Sequence, residues 1–279
     1  TITHYANAAI AVKSAESLRK FWWQVSWRAP QVEEGTTLVA NYAESSLPED
    51  YVLWGPANFI YYPEKGGESP IQLPLSAVIL DHNGLTNILA GANGNPRPGR
   101  GNIQDISYKD ILVISQPSPE ACVHIYDGDI IEHSVFETSD ILIVVSKSNI
   151  TNVLIEDDIH TPQDIIFGTQ PKHTWCYYYQ KASLARQGGD WEAVIDFYNA
   201  AAEQDLHPND QIELMPFLQA FAYSGEKKKV KQLSTRINTE TYYQYQACQV
   251  LSEMGEHGYP LSVEMETHIE KLFCKKKQP

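Results

Sequence analysis

The sequence contains few cysteines and no long apolar run, and we expect no leader. Its 279 residues include four cysteines, and none forms a Cys-x-x-Cys pair or a Cys/His spacing typical of zinc ligands. We interpret Cys122, Cys176, Cys248 and Cys274 as buried or unpaired thiols, because a chain of this length needs no disulfides to hold a core. The sequence shows no secretory leader and no apolar run of about 18 residues.

Positive charge is also scarce. The chain carries 21 Lys and Arg against 35 Asp and Glu, a net charge of −14. Residues 1–171 hold 9 against 21, or −12, and residues 172–279 hold 12 against 14, or −2. The acidic N-terminal part repels phosphate backbones and anionic lipid surfaces. We therefore expect the protein to bind neither nucleic acid nor, by charge, a membrane.

Local catalytic and cofactor motifs are missing. The chain contains no GxSxG, HExxH, GxGxxG or GxxxxGK[ST]. Residues 91–102, GANGNPRPGRGN, are rich in glycine, and Arg97 and Arg100 could meet an anion there. Two prolines remove N–H donors from this stretch, so we interpret it as a surface loop rather than a phosphate site. No cofactor is expected.

Residues 1–160 mix helical and strand patterns, which predicts an α/β sandwich-type domain with a long N-terminal helix over residues 4–25. Asp127-Gly128 indicates a hairpin between residues 123–126 and 129–131. Residues 140–146 fit either a strand or a buried helix. A short helix is predicted over residues 86–90, and short strands over residues 35–40, 59–62, 77–80, 111–115 and 122–126.

Candidate site residues follow two of these strands. Asp81 and His82 come after residues 77–80, and Ser115 ends the strand at 111–115. Ligands of open α/β sheets bind beyond the carboxyl ends of strands, so these residues could form a ligand crest with an Asp-His acid/base couple. An ordinary Asn-Gly turn also explains residues 81–84. Asp127 and Asp129 lack the ligand spacing of a calcium loop, so no metal is expected there.

Residues 172–279 are helical in pattern throughout, beyond a polar, proline-containing boundary at residues 156–173. Gly189, Gly225 and Gly255 mark turns, at spacings of 36 and 30 residues that bracket the period of about 34 of tetratricopeptide repeats. The predicted helix pairs are 175–187 with 190–204, 210–223 with 226–237, and 241–254 with 262–273.

The first pair resembles a tetratricopeptide repeat in residues 189–192 (GDWE), Ile195, Tyr198, Ala201 and Pro208. The resemblance implies an all-α domain of stacked helical hairpins that binds a protein or peptide in the groove lined by the first helix of each pair. The residues that this register places in the groove are Tyr179, Ser183, Arg186 and Gln219.

The front of the chain carries a second resemblance. Residues 21–30, FWWQVSWRAP, followed by residues 35–38, GTTL, are similar to a junction in uncharacterised bacterial polytopic membrane proteins of a glycosyltransferase-like kind. This implies a soluble region that follows the last membrane helix, on the extracytoplasmic side of a bacterial membrane. Membrane association would then come only from a segment upstream of this chain.

Three hypotheses for function follow. The first is a non-catalytic protein-interaction module, as the soluble part of a larger membrane protein. The second is an accessory domain of a membrane glycosyltransferase-like enzyme, which helps to bind acceptor or to assemble a complex. The third is a self-contained enzyme with its site near Asp81 and His82, which would require an enclosed pocket with convergent polar groups. Membrane helices upstream of Thr1 would favour the second over the first.

Overall fold

The computed structural model describes residues 2–42, 50–65, 70–94, 96–155 and 159–274. The chain divides into two compact units. The α/β unit comprises Thr1–Pro119, Val123–Gly128 and Phe136–Lys172. The helical unit comprises His173–Pro279 together with two short pieces from earlier in the chain, Glu120–Cys122 and Asp129–Val135. An α/β part and a helical part, the coarse architecture expected from the sequence, are therefore both present.

The α/β unit contains five α-helices, nine short strands and two 3-10 turns in its described residues. Its helices are α1 (Ile2–Arg28), α2 (Tyr51–Tyr61), α3 (His82–Ala90), α4 (Ser139–Val144) and α5 (Asp164–Phe167), with 3-10 turns at Val145–Lys147 and Ile150–Asn152. Its strands are β1 (Gln31–Val32), β2 (Thr37–Tyr42), β3 (Ile71–Gln72), β4 (Ser76–Ile79), β5 (Arg97–Gly99), β6 (Asn102–Gln104), β7 (Ile111–Gln116), β8 (His124–Ile125) and β9 (Val153–Leu154).

The main sheet has four strands in the order β4-β2-β7-β8, with β4, β2 and β7 parallel and β8 antiparallel to β7. Val39 of β2 is paired with Val78 on one side and with Val113 on the other. All three are buried, as expected for parallel strands covered on both faces. Because the three strands run the same way, their carboxyl ends share one edge of the sheet.

Two smaller sheets complete the unit, β3-β6-β5 and the antiparallel pair β1-β9. The long helix α1 is largely exposed before residue 21 and buried from Phe21 to Arg28. No helix within the described ranges is both long enough and apolar enough to cross a membrane.

Two local predictions for the α/β unit differ from the structure, and a third that left two alternatives open is decided. Residues 59–62 are not a strand; most of them belong to α2, whose buried face includes Ile60 and Tyr61. The predicted hairpin at Asp127-Gly128 is wrong, because residues 129–131 form no strand and β8 pairs with β7 instead. Gly128 is required for a different reason: a Cβ there would lie 2.6 Å from the carbonyl oxygen of Ser148. Residues 140–146, which fitted strand or helix, are helical.

The helical unit has six α-helices among its described residues. They are α6 (Trp175–Gln187), α7 (Trp191–Glu203), α8 (Met215–Tyr223), α9 (Lys227–Ile237), α10 (Thr241–Glu253) and α11 (Val263–Ile269), with a 3-10 turn at Gln211–Leu214 and a π-helical turn at Glu270–Cys274. They share one hydrophobic core. In it the ring of Tyr198 lies 5.4 Å from that of Phe217 and 5.1 Å from that of Phe221.

The four cysteines form two disulfides, which corrects the interpretation of them as buried or unpaired thiols. Cys122 is bonded to Cys176, and Cys248 to Cys274, with Cα separations of 5.2 Å and 5.1 Å. The first bond fixes the piece Glu120–Cys122 to the start of α6. The buried Glu213 carboxylate strengthens this attachment, because it accepts hydrogen bonds from the main-chain N–H of Cys122 at 2.8 Å and from the Trp175 indole at 2.7 Å.

Candidate functional site

Residues 129–135 form neither helix nor strand, and we call them the bound segment. They belong to the helical unit, and we call the surface of that unit against which they lie the groove. The side chains of the helical unit that hydrogen-bond to the bound segment include Arg186 on α6, Asp210 before α8, and Tyr243 and Gln246 on α10. Two of these contacts are to side chains of the segment and two are to its main chain. The bound segment is therefore held through both its side chains and its main chain.

Gln246 grips the main chain of the bound segment at one residue. Its side-chain oxygen accepts the N–H of His133 at 2.6 Å, and its side-chain nitrogen donates to the carbonyl of His133 at 3.0 Å. Gln246 is completely buried. A buried amide is costly unless both ends are hydrogen-bonded, and here the polypeptide backbone satisfies both. This contact needs no particular side chain at residue 133.

Arg186 forms an ion pair with the bound segment. Its guanidinium donates to Glu132 at 2.5 Å, and the same nitrogen donates to the side-chain oxygen of Gln219 on α8 at 2.7 Å. The side chains of Arg186 and Glu132 are only 14% and 11% exposed, so solvent screens this pair less than a surface pair. Gln219 orients the guanidinium, which then presents a positive charge to a carboxylate.

The buried Asp210 carboxylate accepts a hydrogen bond from a hydroxyl group of the bound segment. It accepts a short hydrogen bond from Ser134, one of 2.5 Å from the Tyr243 hydroxyl and one of 3.3 Å from the N–H of Ile212. Tyr243 in turn accepts the N–H of Val135 at 2.9 Å. Burial, and secondly the bond to Asp210, raises the pKa of Tyr243 above its usual value, so the phenol remains a donor to Asp210.

The other two residues predicted to line the groove lie in the interior. Tyr179 is buried within the hydrophobic core of the helical unit, and Ser183 is buried one turn further along α6. Of the four predicted residues, the structure brings Arg186 and Gln219 together at the bound segment. An open groove was expected from the sequence. In the structure, part of the chain itself fills the groove.

The groove residues that sequence reasoning missed are Asp210, Tyr243 and Gln246. A signal for one of them exists: Gln246 lies on the face of α10 that buries Tyr243 and Val250, three residues before and four after it. A polar residue on an apolar helical face implies a buried partner. The bound segment itself carries no comparable signal, because its contacts with Gln246 and Tyr243 are made by the main chain of His133 and Val135.

The predicted crest residues of the α/β unit have different surroundings. Asp81 is the N-cap of α3, where its carboxylate accepts the N–H of Gly84 at 2.7 Å. Asp81 also borders a cleft of about 480 Å³, which is lined by Asp50, Val78, Ile79, Asp81, Asn83, Gly84, Arg97 and Tyr108. His82 is exposed and does not line this cleft, and Ser115 is buried within β7. Of the three residues, this cleft is lined by Asp81 alone.

Metal ligands and relatives give no further assignment. Among the residues that the structure describes, no three His, Cys, Asp or Glu side chains cluster closely enough to hold a metal ion. Comparison with known proteins yields no matching family model, no matching curated protein and no matching solved structure. Both resemblances described above therefore stay predictions.

Proposed function

We propose that this chain is a non-catalytic protein-interaction module, and that its helical unit binds a polypeptide in the groove. The observation that carries the proposal is the grip of the fully buried Gln246 on both main-chain groups of His133. Main-chain hydrogen bonds give affinity to peptide-binding sites, and side-chain contacts give them specificity. The groove has both kinds of contact.

Helix pairing supports the same proposal. The pairs α6 with α7 and α8 with α9 are joined at Gly189 and Gly225, where the φ angles are +73° and +81°. In the tetratricopeptide repeat that the first pair resembles, stacked hairpins form a groove lined by the first helix of each pair. Here Arg186 and Gln219 lie on the first helices of the two pairs, α6 and α8.

The wider proposal is that the module is the soluble part of a larger membrane protein, on the extracytoplasmic side of a bacterial membrane. Two disulfides support this placement, because such bonds form and persist in oxidising compartments. A role as an accessory domain of a membrane glycosyltransferase-like enzyme is a narrower form of this proposal, and it rests on the resemblance at residues 21–30.

The binding proposal is tested by weakening the chain's own occupant of the groove. A full-length chain with Glu132→Gln and Ser134→Ala loses both side-chain contacts of the bound segment. We expect this chain to enrich binders from a displayed library of random peptides as long as residues 129–135. Adding Gln246→Ala should abolish the binders, whereas Tyr245→Ala, on the exposed side of α10, should not. A library with no enrichment over an empty support would contradict the proposed function.

A further inference from the structure

We propose that the groove selects peptides in which a carboxylate residue is followed, two residues later, by serine or threonine, and that the bound segment occupies the site as an internal competitor. This specificity rests on the proposed function of the groove. The evidence for the specificity is the contacts of two groove residues. Arg186 pairs with a carboxylate of the occupant, and Asp210 accepts a hydrogen bond from a hydroxyl group of the occupant.

The first position requires a carboxylate. Arg186 is 14% exposed in its side chain, and among the described contacts its charge is met by Glu132. An occupant with a neutral residue here would remove the carboxylate that lies 2.5 Å from this largely buried guanidinium. Removing one partner from a buried ion pair costs far more than removing one from an exposed pair. A peptide without this carboxylate therefore binds weakly.

The third position, occupied by Ser134 when Glu132 is counted as the first, requires a hydroxyl donor and excludes negative charge. Asp210 is 2% exposed, and its carboxylate accepts a hydrogen bond from the Ser134 hydroxyl. Alanine at this position would leave one acceptor of the carboxylate unfilled. A phosphorylated serine would place added negative charge beside a buried carboxylate, so phosphorylation would expel the peptide.

The second and fourth positions require main-chain N–H groups. His133 donates its N–H to Gln246, and Val135 donates its N–H to Tyr243. Proline has no N–H and is excluded from both positions. The recognised pattern is therefore an acidic residue, any residue except proline, serine or threonine, and any residue except proline.

The bound segment competes with any such partner. Because it is part of the same chain, its effective concentration at the groove is on the order of millimolar. A partner with the same pattern must outcompete it, unless the segment is weakened. We expect the chain carrying Glu132→Gln and Ser134→Ala to bind a free peptide at least about tenfold more tightly than the unaltered chain does.

The experiment uses a fluorescent synthetic peptide with the sequence of residues 129–135, DIIEHSV, and anisotropy with the weakened full-length chain. Peptides with Glu132→Ala, Ser134→Ala or His133→Pro, and a peptide phosphorylated at Ser134, should each bind about tenfold more weakly or worse. A peptide with Ile131→Ala, a position 38% exposed in the chain, should bind within about twofold. Equal binding of all these peptides would overturn the specificity.

A second measurement covers the case in which the weakened chain does not fold. Hydrogen exchange of the unaltered chain should show faster exchange at His133 and Val135 when excess DIIEHSV peptide is added, and no change with the Ser134→Ala peptide. Unchanged exchange with every peptide would overturn the competition. Segment-dependent dimers of the unaltered chain would instead assign the groove to a second copy, and would also overturn it.

The results of the library and peptide experiments distinguish the proposed specificity from the proposed function of peptide binding. If the random library yields groove-dependent binders that lack the acidic-x-Ser/Thr pattern, the specificity fails and the proposed function stands. If the library yields no binders at all, the proposed function fails and the specificity fails with it.

Discussion

Gly189 lies against the hydroxyl group of Tyr259, so close that a Cβ at residue 189 would overlap it. Gly189 also has a φ angle of +73°, which side-chain-bearing residues rarely adopt. Both features favour glycine at the turn between α6 and α7. We expect Gly189→Val to lower the free energy of unfolding by roughly 1 kcal/mol or more, measured by urea denaturation.

The neighbouring residue provides a matched control for this turn. Gly188 is exposed and has a φ angle of −80°, which alanine adopts without strain. Gly188→Ala should therefore leave the stability unchanged or raise it slightly, by less than about 1 kcal/mol. Equal losses for the two variants would show that the left-handed conformation and the contact with Tyr259 are not what the turn requires.

Tyr243 should contribute to stability through its hydroxyl group alone. Tyr243→Phe keeps the buried ring but leaves Asp210 and the N–H of Val135 each without one partner. We expect a loss of about 1–3 kcal/mol in the free energy of unfolding. Tyr242→Phe, at a neighbouring residue that is 40% exposed, should change it by less than about 0.5 kcal/mol. A similar small effect at both positions would contradict the hydrogen-bond network.

The same phenol predicts a loss of stability at alkaline pH. Burial, and secondly Asp210, raises the pKa of Tyr243 in the folded state, so the folded protein holds this proton more tightly than the unfolded chain does. The contribution of this phenol to the free energy of unfolding is therefore complete below about pH 10, the pKa of tyrosine in the unfolded chain, and decreases as the pH rises above that value. Urea denaturation from about pH 9 to about pH 11 should show a smaller decline in the free energy of unfolding for Tyr243→Phe than for the unaltered chain. A parallel decline in both would contradict this assignment.

The disulfides should be present in protein isolated without reductant. Thiol titration in denaturant should find no free thiol before reduction and four after it. Replacing Cys122 and Cys176 together by alanine should cost about 2–4 kcal/mol, because the bond closes a loop of 54 residues. Free thiols in protein purified from an oxidising compartment would contradict the pairing.

Gly128 should tolerate no side chain. A Cβ there would lie 2.6 Å from the carbonyl oxygen of Ser148 and 3.1 Å from that of Ser146. We expect Gly128→Ala to lower the free energy of unfolding by about 1–3 kcal/mol, measured by thermal or urea denaturation. Gly99→Ala, at an exposed strand position with nothing within 4 Å of the added Cβ, should change it by less than about 0.5 kcal/mol.

Hydrophobic periodicity predicted the helices of residues 175–273 closely, because these segments are long and end at glycine turns or caps. Asp190, for example, accepts the N–H of Ala193 as the N-cap of α7. In the α/β unit the same reasoning placed β2, β4 and β7 but took residues 59–62 for a strand. A short apolar run does not separate a strand from a buried helical turn, and here α2 includes them through Tyr61.

What the sequence could not show was set by contacts distant along the chain. Asp127-Gly128 has the composition of a hairpin turn, yet Gly128 is needed for close approach to Ser148. Cysteine spacing does not determine pairing, so the bond between Cys122 and Cys176 was missed. Arg186 was predicted from its helical register, but its partner Glu132 carries no local pattern that marks it as a groove occupant.

The location of the bound segment bears on how the protein folds as it is synthesised. Gln246 follows His133 by 113 residues, so the segment leaves the ribosome long before the helix that holds it exists. At a synthesis rate of about 5–20 residues per second, this delay lasts several seconds or more. Contacts so distant in sequence also slow folding, because a long loop must close before they form. During this interval the segment has no groove to occupy, so a chaperone or a neighbouring nascent chain has access to it before the groove does.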